Sequence, residues 1–312
     1  MCQLNDTMNI PDFPVELIEH IITFLPVKSQ FRVANALRFL HIRDSCIPYL
    51  PFASMNNASK KGQIELLQWW KDSGKRCEYN DFAMDYASLN GHVHILQWWI
   101  ESGLECKYSV FAMDWASQNG HVHILQWWWD KRDFELKYSN VAIDHASENG
   151  HVNVLQWWED SGLDCKYSDD AIQSASRNGH IDVLNWWENC DLECKYYNPM
   201  EEASKRGDVN VLQWWKESSF DLDCKEGAMD SASENGHVHV LQWWKDSGLV
   251  CKYSRDAMDY ASKNGHVHVL EWWKESGFKC KFSKYSRIWA SRNGHDSVLQ
   301  WWKESGLKLG KH

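Results

Sequence analysis

Hydrophobic and polar residues follow a helical period through most of the chain. Between residues 121 and 128, Val122, Leu125 and Trp128 recur at i, i+3 and i+6, while His123 and Gln126 fall on the opposite side. An apolar stripe of this kind is typical of a helix that packs against neighbouring elements. No alternation with a period of two appears, so the pattern predicts an all-α protein without a sheet.

Each patterned segment divides into two short helices. Ser109 is a suitable N-cap for the first helix, and Asn119 with Gly120 supplies a stop that tolerates positive φ. The second helix is predicted to begin at His121 and to end at a glycine. Glycines that end this helix in other copies are Gly103, Gly162, Gly248, Gly277 and Gly306.

The two-helix unit recurs nine times. Eighteen of the 21 tryptophans form adjacent pairs, spaced by 29, 29, 30, 29, 28, 29, 29 and 29 residues. The pairs begin at Trp69, Trp98, Trp127, Trp157, Trp186, Trp214, Trp243, Trp272 and Trp301. Nine copies at a fixed period predict a helical solenoid over residues 52–312.

One copy carries the features of a known repeat. The run 116–122, A-S-Q-N-G-H-V, is followed by Ile124-Leu125 and Trp127-Trp128, and resembles the ankyrin repeat. In that family a first helix ends in A-A-x-x-G-H, and a second helix carries aliphatic pairs and ends in Gly. The resemblance implies an ankyrin-like stack of nine helix-turn-helix units that binds a protein partner.

The units also depart from the ankyrin pattern. The T-P-L-H opening is replaced by Ala112-Met113-Asp114, and only 198–200, N-P-M, restores the proline. The usual period is about 33 residues, so these units are shorter. The deficit lies where ankyrin repeats project a β-hairpin finger, and we therefore expect reduced or absent fingers.

Composition and charge narrow the class of protein. With 44% hydrophobic and 24% charged residues, the chain is predicted to be globular. It has no apolar run of the ~20 residues a membrane span needs, and its first ten residues do not resemble a signal peptide. We expect a cytoplasmic or nuclear protein with reduced thiols and no membrane association. A net charge of −10 disfavours a nucleic-acid partner.

Repeated histidines raise the possibility of metal binding. The H-x-H pairs are His92/His94, His121/His123, His237/His239 and His266/His268. Two positions apart on a helix, side chains point about 200° apart, so a pair is not expected to chelate one ion. The second histidine is replaced in other copies by Glu65, Asn153, Asp182, Asn210 or Ser297, as at a solvated polar position. We expect the first to hydrogen-bond a neighbouring loop and predict neither metal nor cofactor.

Two further residue types recur at fixed positions. Cysteines stand at Cys77, Cys106, Cys165, Cys194, Cys224, Cys251 and Cys280, with Leu136 and Leu309 in the remaining two copies. A position that accepts Cys or Leu indicates a small apolar pocket. Aspartates recur at Asp85, Asp114, Asp144, Asp230 and Asp259. We interpret them as hydrogen-bonding groups between adjacent repeats. No catalytic motif is present, so we predict a protein that is not an enzyme.

The tryptophan pairs have three possible roles: a nucleic-acid stacking platform, a carbohydrate or peptide surface, or core. A stacking platform needs a basic groove beside its aromatic rings, and this chain is acidic. The pairs also stand at the aliphatic positions of the ankyrin-like second helix. A core role is therefore favoured, in which each indole N–H needs a partner.

The copies differ most beside the Ala-Ser dipeptide of the first helix. The residue before it is Asn57, Tyr86, Trp115, His145, Ser174, Glu202, Ser231, Tyr260 or Trp289. In ankyrin repeats this position lies on the concave face, where partners bind. Trp and Tyr are common interface hot spots. The predicted partner-binding strip is Tyr86, Trp115, His145, Tyr260 and Trp289; drift at a tolerant surface position is the alternative.

The first fifty residues lie outside the array. After a flexible N-terminus (1–10), residues 11–51 predict two helices, the first ended by Pro26. The spacing from Pro14 to Pro26 resembles the F-box motif L-P-x-E-L-x-x-x-I-x-x-x-L-P. The resemblance implies that a Skp-type adaptor of a cullin-RING ubiquitin ligase binds Pro14, Leu17, Ile18, Ile21, Leu25 and Pro26.

Together these features predict a substrate-recruiting adaptor, monomeric outside its complex. The F-box-like segment would dock the ligase, and the repeats would hold a target protein by proximity alone. A plain scaffold whose N-terminal helices only cap the first repeat is the alternative. A third class, ligand or metal binding through the His and Cys positions, is less favoured.

Overall fold

The computed structural model describes residues 54–73, 76–131, 133–221 and 227–308. These residues form eighteen α-helices, and none of them lies in a β-strand. The prediction of an all-helical repeat protein is confirmed, and the described residues between the helices form no finger strand. The termini (1–10 and 309–312) and the F-box-like segment 11–51 lie outside the described residues.

Two helices make up each of the nine copies. The first helices are α1 (Met55–Lys60), α3 (Phe82–Leu89), α5 (Phe111–Gln118), α7 (Val141–Glu148), α9 (Asp170–Asn178), α11 (Pro199–Arg206), α13 (Gly227–Glu234), α15 (Asp256–Lys263) and α17 (Tyr285–Arg292). The second helices are α2 (Ile64–Asp72), α4 (Val93–Glu101), α6 (Val122–Asp130), α8 (Val152–Ser161), α10 (Ile181–Asn189), α12 (Val209–Glu217), α14 (Val238–Asp246), α16 (Val267–Glu275) and α18 (Asp296–Glu304).

The chain divides into two compact units, residues 1–112 and 113–312, with the boundary inside α5. In the first unit α1 packs on α2 and α3, and α4 packs on α2 and α3. In the second unit each first helix from α7 onwards packs on the first helix of the next copy. Each second helix from α6 onwards packs on the second helix of the next copy. Each unit is thus a stack of helical pairs, as the repeat period predicted. None of the helices among the described residues is long and apolar enough to cross a bilayer.

A left-handed glycine ends the first helix of each copy. Gly150 has φ 76°, a conformation that costs an L-residue about 1–2 kcal/mol. The position is also crowded, because a Cβ on Gly150 would lie 2.7 Å from Nδ1 of His180 in the next copy. Glycine therefore provides both the turn and the space for the neighbouring imidazole.

The tryptophan pairs fill the interior, as predicted. Fourteen of the eighteen paired tryptophans are buried. The remaining four, Trp70, Trp243, Trp272 and Trp301, are half-buried. Within a pair the two rings meet edge to face, with centroids 5.0 Å apart for Trp186 and Trp187. Large aromatic side chains thus supply the core of these short helices.

Candidate protein-binding surface

Aspartates of the first helices, most of them buried, join adjacent copies. The Asp114 carboxylate accepts a hydrogen bond from the Ser139 backbone N–H (2.9 Å) and another from its hydroxyl (2.6 Å). The same hydroxyl accepts from the N–H of Val141, at the start of the next first helix. Equivalent contacts join Asp85 to Ser109, Asp144 to Ser168, Asp230 to Ser254 and Asp259 to Ser283. The predicted hydrogen bond between adjacent repeats is confirmed.

The second tryptophan of each pair reaches back to the preceding copy. The Trp99 indole N–H donates to the hydroxyl of Ser59 at 3.0 Å, 40 residues earlier. Matching bonds join Trp158 to Ser117, Trp187 to Ser147, Trp215 to Ser176, Trp244 to Ser204, Trp273 to Ser233 and Trp302 to Ser262. The serine of the Ala-Ser dipeptide is therefore a buried acceptor in these copies.

The first tryptophan of most pairs also bonds the preceding copy. Trp98 donates to the Gln68 side chain at 2.9 Å, and Trp243 donates to Gln213 at 2.9 Å. In one copy Asn185 replaces the glutamine and still accepts from Trp214, at 2.7 Å. A polar residue beside the pair thus joins consecutive second helices.

In seven of the nine copies a histidine precedes the second helix, and it lies outside that helix, contrary to expectation. His92 is an N-cap with φ −90° and ψ 72°, so the 200° separation calculated for a helix does not apply. The rings of His92 and His94 are instead 5.5 Å apart. In the described part of the chain, no three His, Cys, Asp or Glu side chains are grouped so that they could hold a metal ion.

Both histidines contact the preceding repeat. Nε2 of His237 lies 3.1 Å from the Lys205 carbonyl oxygen, and Nε2 of His239 lies 2.9 Å from that of Gly207. A carbonyl can only accept, so each Nε2 carries the proton. The predicted hydrogen bond of the first histidine to the neighbouring copy is confirmed, but its acceptor lies in the last turn of a helix and not in a loop. The second, although exposed, is more than a solvated polar group, because it bonds a carbonyl in the copies of His94 and His268 as well.

The recurrent cysteines that lie among the described residues, which leaves out Cys224, are half-buried thiols. The thiol of Cys251 donates to the Trp244 carbonyl at 3.3 Å. Burial raises the pKa of Cys106 and Cys280, and it raises the pKa of Cys194 to about 12. These groups are protonated near neutral pH and pack as small apolar side chains, which agrees with the predicted pocket.

The strip residue of the first unit stacks on a neighbour that the sequence analysis missed. Tyr86 is half-buried on α3, and its ring lies 5.2 Å from that of Phe82 at an interplanar angle of 15°. The Lys60 ammonium stands 5.0 Å from the centre of the Tyr86 ring. Phe82 and Phe111 are 37% and 39% exposed, which is unusual for phenylalanine. A first helix thus presents two ring positions, four residues apart.

The structure brings two strip residues of the second unit together. The rings of Tyr260 on α15 and Trp289 on α17 stack 5.6 Å apart at 10°. Tyr285 stacks on Trp289 at 5.2 Å and 23°, and it is 44% exposed. The Lys263 ammonium lies 5.4 Å from the Tyr260 ring and 6.0 Å from the Trp289 ring. Tyr285 stands four residues before a strip position, the signal that could have identified it.

The other two predicted strip residues are set differently. Trp115 on α5 and His145 on α7 are both half-buried. Nδ1 of His145 is buried without a hydrogen-bond partner. The next three copies hold small or charged residues at this position, namely Ser174, Glu202 and Ser231. In the second unit, Trp or Tyr therefore occupies the strip position in the first copy, as Trp115, and in the last two copies, as Tyr260 and Trp289.

The charge along the aromatic stack changes sign. Asp256 raises the pKa of the Tyr260 phenol, with a smaller contribution from burial. Trp289, in contrast, shares α17 with Arg292, and Lys284 directly precedes that helix, 5.6 Å from the Tyr285 ring. Within the described residues, neither Arg292 nor Lys284 forms an ion pair. The surface around Trp289 is therefore both aromatic and cationic, on a chain of net charge −10.

A family model described as ankyrin repeats (many copies) matches residues 143–186 and 229–272. The chain contains ankyrin repeats. Each match runs from a first helix to the second helix of the next copy, and so covers two consecutive ankyrin repeats. A comparison with curated proteins finds no match. The F-box-like residues, from Pro14 to Pro26, lie outside the described residues, so their predicted role is not tested.

Proposed function

We propose that this protein is an adaptor that binds a target protein along the first helices of its repeats. Ankyrin repeats point to a protein–protein interaction scaffold. The observation that carries the proposal is the stack of the Tyr260, Trp289 and Tyr285 rings. The Tyr285 side chain is exposed to solvent. Rigid aromatic groups of this kind dominate binding energy in protein interfaces.

The cationic surroundings of Trp289 favour an acidic target segment. Arg292 and Lys284 have no intramolecular carboxylate partner among the described residues, so they are available to a carboxylate of the target. Such a contact accelerates association and selects against basic sequences. The Phe82–Tyr86 pair with Lys60 has the same aromatic and cationic character in the first unit.

Peptide binding tests this surface directly. The full chain is applied to 15-residue peptides that share one apolar anchor and differ in net charge. Binding is expected to increase with negative charge and to weaken about tenfold or more in Arg292→Glu and Trp289→Ala. Lys245→Glu, an equal charge change on the second helix α14, and Tyr197→Ala, an aromatic residue 63% exposed outside the strip, are the matched controls. Binding independent of peptide charge would contradict the proposal.

We further propose that the N-terminal segment docks a Skp-type adaptor, so that the target is held near a ubiquitin ligase. The spacing of Pro14, Leu17, Ile21 and Pro26 supports this. The protein would act without catalysis of its own, as a monomer outside its complex, in the cytoplasm or nucleus. Capture of a purified Skp-type adaptor by the full chain, lost in Leu17→Asp and Ile21→Asp, is the expected result. If wild type fails to capture the adaptor, the plain scaffold is favoured instead.

A further inference from the structure

The first described repeat has a donor without its acceptor. In seven copies the second tryptophan donates to a serine 39–41 residues earlier, in the preceding repeat. Trp70 occupies the same position in the first described copy. Its indole nitrogen is buried and has no hydrogen-bond partner. A buried N–H is costly to leave unpaired, so this face of the repeat is expected to receive an acceptor.

Ser29 stands at the distance from Trp70 that the other copies use. It precedes Trp70 by 41 residues, the separation of Ser117 from Trp158. The segment 29–40 reads S-Q-F-R-V-A-N-A-L-R-F-L and aligns without a gap on 117–128, S-Q-N-G-H-V-H-I-L-Q-W-W. Residues 36–37, Ala-Leu, align with the Ile-Leu pair at 124–125. Residues 39–40, Phe-Leu, align with the Trp-Trp pair at 127–128. The spacing from Phe39 to Trp69 is 30 residues, as from Trp127 to Trp157.

One departure in this segment matches a change in the repeat that it would contact. In the array, a glycine such as Gly62 leaves room for the next copy's histidine, since a Cβ there would lie 3.1 Å from the His92 ring. The segment has Arg32 at the glycine position. The following copy has Gln63 in place of histidine, so no imidazole requires that space.

A second departure is matched in the same way. Three residues before the segment, Pro26 stands where the array has its aspartate, and it has no carboxylate. The residue that would donate to it, equivalent to Ser139 opposite Asp114, is Pro51, which has no N–H. Donor and acceptor are lost together. Upstream of Ser29 the likeness ends, because Lys28 stands where the array has a buried alanine.

We infer that residues 29–40 pack on α1 and α2 as a degenerate preceding repeat, with the Ser29 hydroxyl accepting the Trp70 indole N–H. The occupant of this face is therefore a segment of the same chain. Such a unit would cover the apolar end that an array otherwise exposes. The F-box-like residues from Pro14 to Pro26 precede this segment, so the inference stands whether or not adaptor binding occurs.

Hydrogen exchange on the full-length protein distinguishes this arrangement from an independent N-terminal domain. Phe39→Asp and Leu37→Asp are expected to accelerate amide exchange at least tenfold in Met55–Lys60 and Ile64–Asp72, while α17 and α18 remain unchanged. Leu17→Asp, in the F-box-like motif, is the matched control and should leave exchange in α1 and α2 at the wild-type rate. Unchanged exchange in both helices after Phe39→Asp would overturn the inference.

A double-mutant cycle tests the proposed hydrogen bond itself. Ser29→Ala and Trp70→Phe are compared singly and together through the protection of α1 and α2. The expected coupling is about fivefold to tenfold in the local opening constant, similar to that of the observed Ser59–Trp99 pair measured in the same way. Additive effects for Ser29 and Trp70, with coupling in the Ser59–Trp99 pair, would show that Ser29 is not the acceptor.

Discussion

The Asp114 carboxylate receives two hydrogen bonds from Ser139 of the next repeat, at 2.9 and 2.6 Å, while the aspartate is fully buried. Burial raises the pKa of Asp114, and the two bonds from Ser139 only partly oppose that effect. The two hydrogen bonds therefore position the neighbouring repeat. Burial of the ionised Asp114 carboxylate is itself destabilising at neutral pH, because the charge loses its hydration.

The sign of this pKa shift predicts how Asp114 affects stability as the pH changes. Because the folded-state pKa lies above 3.8, the folded protein binds a proton before the unfolded chain does. As the pH falls from neutral through the raised pKa towards 3.8, the wild type should gain stability relative to Asp114→Asn. Urea unfolding of the two proteins across this pH range measures the difference, and a difference that is constant or reversed in sign would contradict the assignment.

The Ser59–Trp99 bond predicts a cost for removing one hydroxyl. Ser59→Ala leaves the buried Trp99 N–H without an acceptor, and we expect a loss of about 1–3 kcal/mol in the free energy of unfolding. Ser291 occupies the equivalent position in the last described copy, where it is exposed. Ser291→Ala should change stability by less than about 0.5 kcal/mol. Equal effects of the two substitutions in chemical denaturation would refute a role for the bond.

Much of this fold could be predicted because the relevant pattern is local and repeated. The stripe of Val122, Leu125 and Trp128 and the stop at Gly120 are read within one copy, and both are present in the structure. The acceptors of the tryptophan indole N–H groups were harder to predict, because the acceptor of Trp99 lies 40 residues away. The separation between serine and tryptophan can be recognised only once one bonded pair is known. The equivalent pairs in the other copies can then be predicted from the repeat period.

The candidate site was predicted less completely. Variation among copies beside the Ala-Ser dipeptide identifies Tyr260 and Trp289. It does not identify Tyr285, which stands at the start of its helix, four residues before the variable position. The histidine geometry was wrong for a different reason. His92 was assigned helical dihedral angles, whereas its backbone caps the helix and turns its ring towards the preceding copy.

Crowding by histidine predicts that two glycines of similar backbone conformation tolerate substitution differently. Gly150 has φ 76° and faces the His180 ring, whereas Gly162 has φ 69° and no atom within 4 Å of an added Cβ. Gly162→Ala should cost about 1–2 kcal/mol from the left-handed backbone alone. Gly150→Ala should cost more, because His180 must also move. Thermal unfolding of both variants provides the comparison, and a smaller loss for Gly150→Ala would contradict the predicted packing.

Burial of the capping histidines predicts a loss of stability on acidification. Desolvation lowers the pKa of His237 and His266 below 6.5, and neighbouring histidines add to the shift. Since the unfolded chain then binds protons first, these groups should destabilise the folded state as the pH falls through 6.5 towards their lowered values. Gln63 occupies the same position in the first copy, so the array already accepts glutamine there. Paired substitution by His237→Gln and His266→Gln should therefore make the free energy of unfolding less dependent on pH between 7 and the lowered values. His239→Gln, which removes only the smaller charge contribution to the lowered pKa of His237, should reduce that dependence by less than the paired substitution does. A steeper loss of stability in the doubly substituted protein would show that protonation of these histidines favours the fold.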